Sequence, residues 1–151
     1  MNDTYLRKAN INDMDLLFRW ANDESVRNNA FNTEEIKYED HKKWLIGKLN
    51  SDNSVIYIYC QGDVPIGQIR IDNLNGDSGV ITYSIDSAFR LRGHAGKLLT
   101  ILDVTVKTDM PKVKTLYARV KKDNIASQRK FEQQMYKKTE KEDYFEYTKK
   151  L

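Results

Sequence analysis

The stretch from Ser84 to Leu102, S-I-D-S-A-F-R-L-R-G-H-A-G-K-L-L-T-I-L, constrains this chain more than any other. Before it, Gly79 to Ile85 alternates bulky residues and has the β-branched content of a strand. After it, Leu98, Leu99, Ile101, Leu102, Val104 and Val106 continue at helical spacing to about Asp109. The change from strand to helix falls on Arg90-Leu91-Arg92-Gly93-His94-Ala95-Gly96-Lys97. A helix that starts there leaves its first N–H groups without internal partners, and Gly93, Ala95 and Gly96 keep the approach to them open. Arg90, Arg92 and Lys97 surround that helix end with positive charge, so backbone donors, helix dipole and side chains all favour an anion.

Two phosphate-binding patterns fail on this segment. A P-loop needs Gly-Lys-Ser/Thr after a Gly five residues ahead, but Lys97 precedes Leu98 and no Gly stands at that spacing. The dinucleotide fingerprint G-x-G-x-x-G fits in neither spacing nor position. The bland alternative is a basic, glycine-containing helix start with no ligand.

At 151 residues the chain is read as one domain, 1–151, able to bury roughly two thirds of its unfolded surface without metals or disulfides. Its 25 basic and 22 acidic residues give a net charge of +3, too balanced for a dedicated nucleic-acid binder. The late lysine pairs have acids nearby and lack the aromatic interleaving of an RNA surface. Cys60, the single cysteine, falls in the strand-like run Val55-Ile56-Tyr57-Ile58-Tyr59-Cys60 and reads as core. No run is long enough to span a membrane and Met1 to Asn10 lacks a signal-peptide core, so a cytoplasmic protein with no membrane partner is expected. His41 and His94 are the only histidines, and neither has the neighbours of a zinc site, so no metal is expected.

In chain order, Tyr5 to Ala9 reads as a strand. A helix capped by Asn12 or Asp13 follows to Ala21, Asn22-Asp23-Glu24 interrupts it, and a short turn or helix runs toward Phe31. The next helix covers about Lys37 to Leu49, capped near Thr33, with His41, Trp44 and Leu45 on one face. Ser54–Cys60, Val64–Asp72 and Gly79–Asp86 form a meander; Pro65 in its second strand calls for a strand start or a bulge. The long helix ends at Met110-Pro111. Thr115–Val120 then gives a parallel partner, followed by a helix from Ile125 to about Gln134, capped by Asp123 or Asn124, and a hairpin of Tyr136–Glu140 and Asp143–Lys149.

Arg90-Leu91-Arg92-Gly93-His94-Ala95 matches without a gap the coenzyme loop Q/R-x-x-G-x-G/A, and Asn124, Ala126 and Ser127 follow the fifth strand. On these residues and the order of elements, the chain resembles the GNAT-type N-acetyltransferases over nearly its whole length. The resemblance implies an α/β (α+β) acyl-CoA N-acyltransferase fold with a mixed, mostly antiparallel central sheet flanked by helices. It also implies acetyl-CoA as co-substrate, held by Ile85, Ser87, Arg90, Arg92, Gly93, His94, Ala95, Gly96, Lys97, Asn124 and Ser127.

Arg19-Trp20-Ala21-Asn22-Asp23, Val26-Arg27 and His41-Lys42-Lys43-Trp44 are similar to enzymes that acetylate nucleotide-linked amino sugars in pseudaminic-acid and spore-coat polysaccharide biosynthesis. That likeness implies a small-molecule amine as partner, with Trp20, Asn22, Arg27, His41 and Trp44 around it. Trp44 would stack on a sugar or base, and Arg27 would pair with a phosphate or carboxylate. Protein N-terminal (ribosomal-protein-type) acetyltransferases share part of the pattern, polyamine acetylation and a non-catalytic acyl-CoA-binding module are further alternatives, and a homodimer is left open. For chemistry the candidates are His41 as base, Tyr83 and Asp86 near the strand end, and Ser127. Many relatives carry a proton-donating Tyr where this chain has Phe131, so the usual acid is missing from its usual place.

Overall fold

The computed structural model describes residues 3–151. Strand β1 (Thr4–Lys8) leads through a 3-10 turn (Ile11–Asp13) into helices α1 (Met14–Ala21), α2 (Glu24–Asn29) and α3 (Tyr38–Leu49). The meander β2 (Val55–Gln61), β3 (Val64–Asp72) and β4 (Ser78–Ile85) follows, then a 3-10 turn (Ser87–Phe89) and helix α4 (His94–Asp109). Strand β5 (Thr115–Lys121), helix α5 (Ile125–Gln133) and the hairpin β6 (Lys137–Glu140) and β7 (Tyr144–Lys150) close the chain. All seven strands form one sheet in the order β1-β2-β3-β4-β5-β7-β6, antiparallel except between β4 and β5. The mixed α+β sheet expected from the sequence is present, with the GNAT order of elements.

The run Val55–Cys60 is continuously apolar because both faces of β2 are covered. Ile56, Ile58 and Cys60 pack with Met14, Leu17, Trp20 and Leu45 under α1 and α3. Tyr57 and Tyr59 join the larger core on the opposite face, where α4 contributes Leu98, Leu99, Leu102 and Val106. Those four are fully buried, each leucine worth about 1.5–3 kcal/mol of apolar burial. Pro65 is accommodated by a bulge at Tyr59/Cys60.

At two helix starts the side-chain capping differs from the local expectation. Asp13 is the N-cap residue of α1 but makes no side-chain cap bond there; Asn10 caps the 3-10 turn ahead of it, its Oδ1 accepting the Asn12 N–H at 2.8 Å, while the Asp13 carboxylate accepts the Asn10 N–H at 2.9 Å and the two terminal Arg7 guanidinium nitrogens at 2.8 Å. Helix α3 begins at Tyr38 with no side-chain cap, well past Thr33. Its approach is held from a distance instead: Asn22 donates to the Ile36 carbonyl at 2.7 Å and accepts the Ile36 N–H at 2.8 Å.

The feature that makes the site lies between β4 and β5. Their parallel ladder has only three pairs, Ser78 with Thr115, Gly79 with Leu116 and Val80 with Tyr117. From Ile81 to Ile85 and from Ala118 to Lys121 the two strands run on without pairing to each other. Adjacent inner edges of a sheet are thereby left open, with backbone donors and acceptors facing the gap.

Candidate active site

Helix α4 starts beside the open end of β4. Gly93 is its N-cap residue with φ +80°, a left-handed conformation that favours glycine, and it offers no side chain to the first N–H groups. Leu91, also left-handed at φ 63°, projects fully into solvent. Arg92 stands 5.8 Å over the Phe89 ring. The His94 side chain turns inward instead of toward a ligand: it is buried, and its Nδ1 lies 3.0 Å from the Tyr59 hydroxyl. Burial, then Lys97 and Arg92, keeps its pKa low, so it is neutral at pH 7, and only its backbone is left to face the helix start. Arg90 is committed elsewhere: it donates from Nε to the Ile85 carbonyl at 3.0 Å and from Nη2 to Asp23 at 2.8 Å.

Across the opening, Asn124 caps α5 by accepting the Ser127 N–H at 3.3 Å, which leaves its amide nitrogen to donate. The Ser127 hydroxyl is 3.1 Å from that of Tyr83, the one close polar pair spanning the mouth of the opening among the candidate catalytic residues. Burial pushes the Tyr83 pKa up against a smaller lowering by the Ser127 hydrogen bond. Phe131 meets the Tyr83 ring edge-on at 5.8 Å and stacks on Tyr147 at 5.4 Å, so the position where relatives carry a tyrosine is a core position here.

Asp86 is buried and already occupied. It accepts from the Trp20 indole at 2.8 Å, Arg19 at 3.1 Å and the Ala88 N–H at 2.9 Å. Burial alone would raise its pKa, but those donors outweigh it and hold the carboxyl below its ordinary range, which makes it a poor proton acceptor at pH 7. His41 is buried between α1 and α3, where its Nε2 donates to the Met14 carbonyl at 3.2 Å and its ring stacks on Trp44 at 5.6 Å. Burial lowers its pKa as well, against the Met14 hydrogen bond.

The acceptor candidates named from sequence do not gather around one cleft. Trp20 is buried on Asp86, and Asn22 clamps Ile36. Arg27 donates to the carbonyls of Ala21, Asn32 and Glu34. Trp44 lies under the guanidinium of Arg70, 5.0 Å away. An open cleft of about 460 Å³ is instead lined by Asp23, Glu24, Ser25, Asn28, Asn29 and Arg90. A neighbouring cavity of about 230 Å³ lies among Arg19, Trp20, Asp23, Ile85, Asp86, Ser87 and Arg90. Glu24, Ser25, Asn28 and Asn29 stand one and four apart on α2, so one helix face carries them; a polar stripe at that spacing after an Asp N-cap was the available sequence signal.

A family model described as the acetyltransferase (GNAT) domain matches residues 3–134. The chain belongs to this family. The protein MJ1062 of Methanocaldococcus jannaschii is 25% identical over 138 residues, which are 90% of this chain and 28% of that protein; the chain thus spans little more than a quarter of this curated relative. Among solved structures, the spermidine N-acetyltransferase of Vibrio cholerae, in complex with CoA and spermine, superposes with a TM-score of 0.87 at 12% identity, covering 97% of this chain and 95% of that one. Campylobacter jejuni N-acetyltransferase PseH gives 0.74 at 20% identity, covering 97% of each. At such identities the likeness is one of fold.

The GNAT co-substrate fits what these residues offer. The open edge from Ile81 to Ile85 can pair with an extended amide-bearing arm as a strand would, and the uncapped start of α4 with Arg92 and Lys97 suits a pyrophosphate. Among the described residues no three His, Cys, Asp or Glu side chains form a metal-holding group, and no helix is long and apolar enough to cross a membrane.

Proposed function

We infer that this GNAT domain transfers acetyl from acetyl-CoA to the primary amine of a small molecule, and that the acceptor is a nucleotide-linked amino sugar. The observation that carries the transfer is the divergence of β4 from β5 directly beside the uncapped start of α4. Bound acetyl-CoA supplies a thioester that an uncharged amine attacks without a covalent enzyme intermediate: the C–N bond forms, the C–S bond breaks, and the proton shed by the amine passes to water. The main chain of Ile81 to Ile85 aligns the acyl arm and offers N–H donors to the developing oxyanion. The α4 start, with Arg92, Gly93, Ala95, Gly96 and Lys97, neutralises the pyrophosphate. Tyr83 and Ser127 serve the leaving group. The coenzyme thiol titrates near 8.5 and tyrosine near 10, higher when buried, so this pair stabilises the departing thiolate by hydrogen bonding while water completes its protonation.

The sugar assignment is supported by the resemblance of Arg19–Asp23 and His41–Trp44 to sugar-amine acetyltransferases. One observation favours a second acceptor class. The cleft carries Glu24 with two asparagines, its Asp23 and Arg90 are paired with each other, and Arg27 and Lys121 nearby spend their charges on backbone carbonyls, so the surroundings suit a cationic polyamine better than a phosphate. The Vibrio cholerae neighbour, with spermine bound, agrees with that class.

Thiol release from acetyl-CoA, measured with a nucleotide-linked 4-amino sugar, spermidine and short peptides in parallel, decides the acceptor. Turnover with the sugar alone supports the first reading and with spermidine alone the second; turnover with peptides alone rejects both. The coenzyme placement is tested by Gly93→Asp, which would put a carboxylate facing the pyrophosphate; no atom lies within 4 Å of a Cβ there, but a side chain at φ +80° strains the backbone, so Gly93→Asn, which carries the same strain without the charge, is measured beside it together with a thermal melt. Calorimetry should show loss of coenzyme A binding by about 100-fold or more, and unchanged affinity would reject the placement.

A further inference from the structure

Helix α2, which lines the acceptor cleft, has six residues and buries none of them. A helix that short cannot stand on its own propensity, and without a buried face its position depends on polar ties at its ends. Its far end is held by the Lys121 ammonium, which donates to the carbonyls of Asn28 at 3.0 Å and Ala30 at 2.9 Å. Arg27, within the helix, donates to the carbonyls of Ala21, Asn32 and Glu34, and the near end is capped by one side-chain atom. Oδ1 of Asp23 accepts the Val26 N–H at 3.2 Å, capping the helix, and the same oxygen accepts Arg90 Nη2 at 2.8 Å.

Arg90 in turn sits three residues before Gly93 and holds the last residue of β4 through the Ile85 carbonyl. Only Leu91, in a left-handed conformation, and Arg92 separate Arg90 from Gly93, so the guanidinium and the start of α4 are joined by a short connection. Asp23 and Arg90 also line both the 230 Å³ cavity and the 460 Å³ cleft, so the ion pair is a wall that the two share. A second tie crosses the same gap, from Trp20 and Arg19 to Asp86, and fixes the connection after β4 without reaching α2.

We propose that the Asp23–Arg90 pair is a positioning latch that couples coenzyme occupancy at Arg92–Lys97 to the placement of α2 and so to the acceptor cleft. The inference rests on the proposed function for the identity of the two sites. An anion drawn onto the start of α4 restrains the loop; the restrained loop holds Arg90 against Ile85; Arg90 holds the Asp23 oxygen from which α2 begins. The ion pair therefore contributes to acceptor recognition rather than to coenzyme affinity, although Arg90 stands at the first position of the coenzyme-loop pattern.

Arg90→Gln, Asp23→Asn and the double variant test this, with coenzyme A affinity, acceptor kinetics and amide hydrogen exchange read on each. Coenzyme A affinity should stay within about threefold of wild type while acceptor KM rises by about tenfold, and the double variant should be no worse than either single one, because one interaction is removed in all three. Coenzyme A should protect the α2 amides of wild type and should fail to do so in the variants. A tenfold or larger loss of coenzyme A affinity confined to Arg90→Gln would make Arg90 a coenzyme ligand and overturn the latch. Multiplying effects in the double variant, or coenzyme-induced protection of α2 that survives in the variants, would overturn it too. If wild type binds coenzyme A but acetylates no amine, the function fails while the exchange comparison still decides the latch; if it binds no coenzyme A, both fall.

Discussion

Gly67 on β3 lies so close to β4 that a Cβ there would stand 2.5 Å from the Ser84 carbonyl oxygen and 3.0 Å from Ile85 Cδ1. The first of those atoms is backbone, so relief requires β4 to move at its unpaired end, the part proposed to align the acyl arm. Gly67→Ala should therefore cost about 1–3 kcal/mol of stability and also lower kcat in the molecules that remain folded. A thermal melt combined with active-site-normalised kinetics checks it; full kcat with a lowered midpoint would show that the end of β4 does not align the reactants. The Tyr83–Ser127 pair gives a sharper chemical test. A hydrogen bond to a developing charge is worth about 1.5–3 kcal/mol, so Tyr83→Phe and Ser127→Ala should each lower kcat by about 10- to 100-fold with acceptor KM little changed. Retention of wild-type kcat in both would remove the pair from leaving-group chemistry.

Helix α3 shows how an element that was easy to find can carry a residue whose role was not. His41 lies on the face that periodicity indicated, but there its ring packs against Phe18 of α1 and its neighbour Trp44, and its Nε2 is held by the Met14 carbonyl. His41→Gln is expected to lose about 1–2 kcal/mol of stability and to keep the acidic limb of the rate profile; disappearance of that limb with coenzyme binding intact would make His41 the base after all. The strands and helices were legible because alternation and helical spacing are local signals: the apolar run of β2, the stripe of α4 and the Met110-Pro111 stop each announce themselves. The ties that shape the site are not local. Asn22 reaches Ile36 across 14 positions, Trp20 reaches Asp86 across 66, and Arg90 reaches Asp23 across 67, and no periodicity records such pairings. For the same reason Arg27 read as the partner of a phosphate or carboxylate, although it donates to three backbone carbonyls. The start of α4 at Gly93 was legible because it is set by consecutive residues at one strand-to-helix change.

At the scale of the whole molecule the titrating groups define a pH window of stability. The Arg7 hydrogen bond lowers the Asp13 pKa against burial; at Asp23, Asp72 and Asp86 burial is the largest single effect and raises the pKa, but hydrogen bonds and neighbouring cations outweigh it. His41 and His94 are also depressed, chiefly by burial. A depressed folded pKa gives stability that is present above the unfolded value and is lost as pH falls toward and through the folded one. Stability should thus begin to fall below about pH 6.5 as the histidines charge, and more steeply below about pH 4. On the alkaline side burial raises Tyr57 to about 12 and also raises Tyr136 and Tyr147, so stability is present below the unfolded tyrosine value near 10 and is lost above it. Urea midpoints from pH 3 to 11 should form a plateau between about 6.5 and 10 with a two-step acid side; a single acid step confined below pH 4 would show that the histidines carry no such linkage. Tyr136→Phe isolates the alkaline limb. Its hydroxyl is buried and makes no hydrogen bond within the protein, and one oxygen of nearby Asp103 is in the same condition. Removing that hydroxyl relieves a desolvation cost and a group that resists ionisation, so the variant should be as stable as wild type or more stable by up to about 1 kcal/mol at pH 7, with a shallower loss above pH 10. A loss of more than about 1 kcal/mol at neutral pH would mean that the hydroxyl is bonded through solvent rather than stranded.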